Sequence, residues 1–163
     1  MLKKIKSTWF RSALYSITSG NHNTAVGSNA GTNITTGTYN VLVGIEAGQN
    51  VYKTSYSTHI GGNAGRYASG SSNTFMGYQA GKGGTTSAPY SSGTNNIAVG
   101  YQALTAFTTG GENTVVGNQA FDALTTGTRN IGIGPAAGGA ITTGDHNIVC
   151  VAIADLDPNG FGQ

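Results

Sequence analysis

The chain has 163 residues with a formal net charge of +2, and only 9% of its residues are charged, against about 25% in an ordinary globular protein. Glycine occurs 27 times and hydrophobic residues make up 37%, which excludes a large leucine- and phenylalanine-rich core and favours a regular, backbone-driven architecture. From residue 12 onward six acidic residues outnumber four basic ones, which excludes a basic groove for nucleic acid.

The N-terminal segment, residues 1–18, carries an apolar helical stripe. Its apolar residues recur at spacings of three and four, as on one face of an amphipathic helix. No uninterrupted apolar stretch of signal-peptide or membrane-span type occurs in it. We predict a short helical segment that oligomerises the protein or docks it onto another protein, with interfacial membrane binding as an alternative. The stripe consists of Leu2, Ile5, Trp9, Ala13 and Ile17.

Residues 19–155 are a tandem repeat of about 17 residues, and a fixed period of this kind is typical of solenoid proteins. Each copy starts at an anchor residue, with Ala seven positions later (+7) and Gly four positions later (+4), except that Val151 stands at +4 in the last copy. The spacings between successive anchors are 17, 17, 16, 23, 17, 17 and 17. We expect residues 156–163 to form a C-terminal tail or cap. The anchors, which define coils 1 to 8, are Asn23, Asn40, Ser57, Asn73, Asn96, Asn113, Asn130 and Asn147.

Within each copy, β-branched residues dominate positions +1 and +3 while position +2 varies, a period of two that predicts a short strand. We predict that +1 and +3 face the interior and that the often apolar +2 is covered by neighbouring subunits. The +7 Ala and an apolar residue at +11 are also predicted to be interior, and the Thr-Thr-Gly that follows +11 is predicted to turn the chain. The fold class is therefore all-β: a parallel β-solenoid, or β-roll, of eight coils.

Stacked coils place like residues about 4.8 Å apart, which allows asparagine side chains to hydrogen-bond along the stack. A thin coil encloses little apolar area, so we expect a homotrimer. The predicted structural ladder comprises Asn23, Asn40, Asn73, Asn96, Asn113, Asn130 and Asn147.

The largest irregularity of the repeat lies between coils 4 and 5, where the spacing exceeds the usual period by six residues. Residues 82–95 must therefore leave the stack as a loop, and insertions in solenoids often mark the binding face. Tyrosines and two basic residues cluster around it in the alignment. The candidate surface for a glycan or receptor consists of Tyr52, Tyr56, Arg66, Tyr67, Tyr78, Lys82, Tyr90 and Tyr101.

No pattern in the sequence indicates catalysis or a cofactor. Cys150 is the only cysteine, the three histidines have no partners at metal-ligand spacing, and no Ser/His/Asp arrangement follows from spacing. We expect no enzymatic activity, no cofactor, no metal and no nucleic-acid partner. Ice binding, which uses outward threonine arrays, is an alternative, but Thr-Thr pairs expose one threonine per coil and favour a turn-supporting ladder.

The unit Thr-Gly-x-x-Asn-x-x-x-Gly-x-x-Ala-Gly resembles the repeats of bacteriophage tail-fibre-like proteins and, more distantly, the head repeats of YadA-type trimeric autotransporter adhesins. The best segments are SGNHNTAVGSNAGTNITTG, SGSSNTFMGYQAGKG, GTNNIAVGYQAL and TTGTRNIGIGPAAGGAITTG. The resemblance implies a trimeric β-roll that forms a fibre and meets a surface, with no catalytic residues. The adhesin heads use a shorter repeat with Ser-Val-Ala-Ile-Gly and a signal peptide that is not visible here, which favours the phage family.

The sequence therefore predicts a trimeric fibre or spike component of a phage virion. It would be anchored to a virion protein through its N-terminus and would contact a cell-surface glycan or receptor. Two alternatives stay open: the head of an exported bacterial adhesin at the cell surface, and a self-assembling extracellular filament built by end-to-end pairing of solenoid edges.

Overall fold

The computed structural model describes residues 11–151, and within that range the chain is a parallel β-solenoid, as predicted. Eight three-residue strands form one parallel sheet in chain order, with seven turns of the solenoid between them. No other regular element occurs among the described residues. The strands are β1 (Thr24–Val26), β2 (Val41–Val43), β3 (Thr58–Ile60), β4 (Thr74–Met76), β5 (Ile97–Val99), β6 (Thr114–Val116), β7 (Ile131–Ile133) and β8 (Ile148–Cys150).

The strand register follows the repeat alignment at every step. Residues at the same repeat position pair directly, as Leu42 does with His59. The long coil keeps this register, because Thr74 still pairs with Ile97 across the insertion. The repeat anchors therefore identify the stacked positions of the structure.

The assignment of strand faces in the sequence prediction is wrong. The +2 side chains point inward, and Leu42, Phe75 and Val115 are completely buried. The +1 and +3 side chains point outward, so that Ile97 and Ile133 are more than 40% exposed. Both faces are largely apolar, and alternation alone does not tell which of two apolar faces is interior.

Positions +2 and +8 of a coil share one volume in the interior. In coil 4 the ring of Phe75 at +2 occupies the space beside Gly81 at +8, where an added Cβ would overlap that ring. In coil 5 the sizes are reversed, since small Ala98 stands at +2 and Leu104 at +8, both fully buried. The variation at +2 therefore reflects close packing of the core.

Coil 7 has glycine at both of these positions, Gly132 and Gly138, and coil 6 supplies the missing volume. A Cβ on either glycine would overlap the ring of Phe121. Phe121 adopts a φ of +45°, a left-handed conformation that costs a non-glycine residue about 1–2 kcal/mol. Packing of its ring offsets this cost and joins the cores of the two coils.

The +7 alanines are interior, as predicted. All seven in the described range are fully buried: Ala30, Ala47, Ala64, Ala80, Ala103, Ala120 and Ala137. The apolar +11 side chains fill the other side of the coil, and Ile34, Phe107 and Leu124 are completely buried. The +7 and +11 positions and the inward +2 positions together form the core.

The +4 glycines end the strands in a conformation that other residues rarely adopt. Gly44 has a φ of +131°, and a Cβ there would lie 2.6 Å from the carbonyl carbon of Gly61, its counterpart in the next coil. Backbones approach too closely at this column for any side chain, which explains why seven successive coils carry Gly.

The anchor asparagines form a continuous hydrogen-bonded column. The Asn113 Nδ2 donates to Oδ1 of Asn96 at 3.0 Å and to the carbonyl of Gly127 at 2.9 Å. Ser57 takes the anchor position in coil 3, and its Oγ accepts a bond from the backbone N–H of Asn73 at 3.2 Å. These bonds satisfy buried polar groups, which would otherwise be costly. The column contains Asn23, Asn40, Asn73, Asn96, Asn113, Asn130 and Asn147.

The threonine at +12 supports the turn of its coil. The Thr35 hydroxyl donates to the carbonyl of Tyr52 at 3.0 Å, and that of Thr108 donates to the carbonyl of Thr125 at 3.1 Å. The following threonine, such as Thr126, is exposed. In coils 1, 5 and 6 the first threonine of the pair thus bonds along the stack and the second faces solvent.

The described part of the N-terminal segment, residues 11–18, forms turns that stack on coil 1. The Leu14 N–H donates to the carbonyl of Ala30 at 3.0 Å. Leu14 and Ser12 have φ values of +49° and +58°, which an α-helix does not contain. The other stripe residues, Leu2, Ile5 and Trp9, lie outside the described residues, as does the predicted tail at 156–163.

His59 is the exception to an apolar core. It occupies the inward +2 position of coil 3 and is fully buried, and its two ring nitrogens have no hydrogen-bond partner in the described part of the chain. It stacks on Phe75 with ring centroids 5.0 Å apart. Desolvation by burial lowers the pKa of His59 to about 3, so the ring is neutral at ordinary pH.

Candidate functional site

The candidate site lies at one turn of the solenoid, where two neighbouring coils depart from the usual repeat length. Coil 3 has a single residue, Ser69, where coils 1, 5, 6 and 7 carry Thr-Thr before the turn glycine, so it is one residue short there. Coil 4 has six extra residues, 85–90, just before the same turn, and residues 86–89 are exposed. Of the loop predicted at 82–95, only these six residues leave the stack, because the Gly84 and Ser91 N–H groups still donate to the carbonyls of Phe107 and Tyr67. The loop forms a wall beside a shortened coil.

Three tyrosines from consecutive coils converge at this wall. Tyr90, at the end of the insertion, stacks with Tyr52 of coil 2 at a centroid distance of 6.0 Å and with Tyr67 of coil 3 at 5.9 Å. The ring planes differ by 17° and 24°. Tyr52 is 43% exposed, while the other two rings are half-buried. The rings therefore form an aromatic surface that is open to solvent.

The insertion, the short coil and the turns of coils 4 and 5 enclose a pocket of about 450 Å³, which we call the Tyr52–Tyr90 pocket. Small-ligand sites typically have volumes of about 300–1,000 Å³, and this pocket falls within that range. None of its lining residues is charged. They are Tyr52, Ser69, Thr85, Ala88, Pro89, Tyr90, Ser91, Ser92, Thr108 and Thr109.

Some hydroxyl groups of the pocket hold the wall together and others are left for a ligand. The Ser91 and Thr85 hydroxyls bond to each other at 2.9 Å, and the Ser69 hydroxyl donates to the Ser91 carbonyl at 3.0 Å. The Ser92 and Thr109 hydroxyls are exposed and make no hydrogen bond to the described part of the chain. The pocket therefore offers polar groups without a fixed charge.

The phenol of Tyr90 remains a hydrogen-bond donor at neutral pH. Local desolvation, followed by the neighbouring Tyr52 hydroxyl, raises the pKa of Tyr90 above its ordinary value of 10.0. A phenol stays protonated well below its pKa.

Arg66 is held by side chains of the preceding coil. Its Nη1 lies 2.8 Å from a Glu46 carboxylate oxygen, and its Nε donates to Gln49 at 3.0 Å. The guanidinium also lies 5.1 Å from the ring centroid of Tyr67, within the range of a cation–π contact. Arg66 therefore stiffens the back of the aromatic surface and carries no uncompensated charge there.

Lys82 occupies the same repeat position as Arg66 in the next coil. Its carbonyl accepts a bond from the Tyr67 N–H at 2.8 Å, and its half-buried side chain does not line the pocket. Neither basic residue reaches the lining, so the pocket itself is neutral.

The remaining predicted residues lie in two other columns. Tyr78 and Tyr101 share position +5 and stack at 5.7 Å. Tyr56 stacks on Tyr39 at 5.4 Å, and Tyr39 stacks on His22 at 4.7 Å. The structure thus brings together only part of the predicted surface.

Sequence reasoning missed Tyr39 and His22. Both stand one residue before an anchor, as Tyr56 does, so their shared repeat position indicated the stack.

The outward strand face is a second candidate site. Its sixteen +1 and +3 positions comprise twelve apolar residues and four threonines, with no charged residue. Large contiguous apolar patches on a soluble surface mark interaction sites. The large apolar residues most exposed on it are Val41, Met76, Ile97, Val116, Ile131, Ile133 and Ile148.

Three comparisons bear on the identity of the chain. It matches no protein-family model, no curated protein and no solved structure. Within residues 11–151 no group of three His, Cys, Asp or Glu side chains is placed to hold a metal ion. The same range contains no helix with the length and apolar character of a membrane span.

Proposed function

We propose that this chain is the subunit of a trimeric rod: a fibre or spike component of a virus particle that meets a host surface. One observation carries the proposal. The outward strand face is apolar, uncharged and continuous over all eight strands, a length of about 34 Å at the usual strand spacing. A stack of this kind needs a partner for that face.

The shape of the face favours three copies around an axis parallel to the rod. Only two residues of each strand point outward, so the face is about 7 Å wide. Three narrow faces can converge on a common axis, where each covers the edges of two neighbours. Closed symmetry of this kind leaves no unpaired apolar face. The resemblance of the repeat to tail-fibre-like proteins supports the same arrangement.

Measurement of mass in solution tests the proposal. Light scattering should give three times the chain mass of 16.5 kDa at micromolar concentration. Ile131→Lys places a charge in the apolar face and should yield monomers, because an unpaired charge in an interface is costly. Thr126→Lys, at an exposed turn position, is the matched control and should remain trimeric.

A stable wild-type monomer, a dimer or an open filament would contradict the trimer. Circular dichroism of both lysine variants should match the wild type. A variant that stays trimeric despite Ile131→Lys would show that another surface joins the subunits.

A second candidate, ice binding, is favoured by one feature of the same face. Thr24, Thr58, Thr74 and Thr114 stand at +1 of their strands, each two positions before an outward apolar side chain at +3. Ice recognition uses regular outward threonine arrays, whereas these threonines occur only in coils 1, 3, 4 and 6 and +3 holds none. A trimer would cover this array, so a wild-type monomer with thermal hysteresis would favour ice binding over the rod.

A further inference from the structure

We infer that the Tyr52–Tyr90 pocket binds a neutral saccharide. This inference deepens the surface-contact role proposed above and rests on it, because it names the class of ligand that the contact would recognise.

The aromatic rings supply the first argument. A pyranose ring has an apolar face of C–H groups and a polar rim of hydroxyls. Tyr90 and Tyr52 present aromatic carbon at the pocket, with ring planes within 17° of parallel. Aromatic residues with a polar tip suit ligands that are apolar on one side and wet on the other.

The absence of charge supplies the second argument. All ten lining residues are neutral, and the nearby guanidinium of Arg66 is paired with Glu46 at 2.8 Å. A phosphate, sulfate or carboxylate ligand would find no charge partner in the lining, whereas buried charges need one. The chemistry therefore favours an uncharged ligand.

The available hydrogen-bonding groups supply the third argument. The exposed Ser92 and Thr109 hydroxyls can both donate and accept hydrogen bonds, as sugar hydroxyls do. Pockets of this kind typically combine an apolar lining with a few polar groups that fix orientation.

The construction of the pocket supports a binding role over an accidental gap. It arises where a one-residue deletion in coil 3 and a six-residue insertion in coil 4 meet at a single turn. The turns of coils 1, 5, 6 and 7 keep the Thr-Thr-Gly form, and coil 2 departs from it by placing Tyr52 at the pocket. Hydrogen bonds of Ser91 to Thr85 and Ser69 hold the wall in place.

Saturation-transfer difference NMR on the full chain tests the inference. The probes are maltose, cellobiose, lactose and chitobiose, with sialyllactose as the charged comparison. Ring C–H protons of at least one neutral disaccharide should receive saturation from the wild type. Tyr52→Ala and Tyr90→Ala should each weaken binding at least tenfold, while Tyr101→Ala, from the separate stacked pair, should bind as the wild type does.

Deletion of residues 85–90 is a further variant, since it returns coil 4 to 17 residues and should leave the melting temperature within a few degrees of the wild type. It should abolish binding. The inference is overturned if no neutral probe shows transfer at millimolar concentration, if the two tyrosine variants bind like the wild type, or if only sialyllactose binds.

The same samples keep this inference separate from the rod proposal. A trimer that binds no neutral probe overturns the saccharide site alone. A monomer that binds one through Tyr52 and Tyr90 overturns the trimer alone.

Discussion

At the scale of single residues, His59 is a polar side chain buried in the inward +2 column without hydrogen-bond partners among the described residues. Its neighbours in the +2 column are Leu42 and Phe75, both apolar and fully buried. A buried polar atom without a partner costs about 1–3 kcal/mol, and His59 has two such atoms. The imidazole therefore fills volume at the expense of stability.

Stability should depend on pH through this residue. The pKa of His59 is about 3 in the folded chain, against an ordinary value of 6.5. Between these two pH values the imidazole is protonated in the unfolded state and neutral in the folded state. The free energy of unfolding should fall by about 1.4 kcal/mol per pH unit between about pH 6.5 and 3. Above pH 6.5 His59 should contribute no pH dependence.

Urea denaturation at pH 5 and pH 8 of the wild type, His59→Leu and His146→Gln measures this effect. His59→Leu should remove about 2 kcal/mol of the pH 5 loss and raise stability at pH 8 by about 1–3 kcal/mol. His146 is exposed, so His146→Gln should keep the wild-type slope. An unchanged slope in His59→Leu would mean that the ring reaches water or a partner.

At the scale of the repeat element, the alanine column sets the width of each coil. The carbonyl of Ala120 accepts from the Leu104 N–H at 3.0 Å, and that of Ala137 accepts from the Phe121 N–H at 2.8 Å. The side chains at +7 thus lie beside backbone bonds that join successive coils, where there is no spare volume.

Ala120→Leu should therefore destabilise the chain by roughly 1–3 kcal/mol through overpacking. The same change at exposed Thr126 should cost less than about 0.5 kcal/mol. Thermal or urea unfolding of both variants decides the comparison. Equal tolerance at the two positions would contradict an interior alanine column.

The element scale also shows how far sequence reasoning reaches. The period, the strand register and the loop followed from anchor spacing, because a constant spacing transfers directly into stacking. The strand faces did not follow, because both faces are apolar and the interior one was recognisable only by its size exchange with +8, as between Phe75–Gly81 and Ala98–Leu104.

The N-terminal turns and the pocket illustrate two further limits. Ala13 and Ile17 stand 17 residues before Ala30 and Ile34, so they fit the repeat as well as they fit a helix, and two periodicities competed for the same residues. The pocket depends on the shortened turn at Ser69 lying next to the insertion, and its depth depends on side-chain packing that spacing alone does not describe.

At the scale of the whole molecule, His59 divides the apolar core into two clusters. The first lies in coils 1 and 2 and contains Ala30, Ile34, Leu42, Ala47 and Val51. The second, larger cluster extends from Ala64 to Ala137 and includes the rings of Phe75, Phe107 and Phe121. In a solenoid each coil contacts only its neighbours, so stability is local.

Native-state hydrogen exchange should therefore reveal two units of unequal stability. The Val41 N–H, bonded to the Ser57 carbonyl at 2.9 Å, should exchange faster than the Ile131 N–H, bonded to the Asn147 carbonyl at 2.8 Å. His59→Leu should join the clusters and reduce the difference. A single exchange free energy for both amides would indicate one cooperative unit.

The ring of Phe121 also bears on how a chain of this kind can grow. Because it fills the space left by Gly132 and Gly138, the residues of coils 6 and 7 are complementary and must be inherited together. A recombination breakpoint between them would place a bulky side chain against that ring or leave a void beside the glycines. Tandem duplication at this end of the molecule should therefore copy the two coils together, so that the rod would lengthen in pairs of coils.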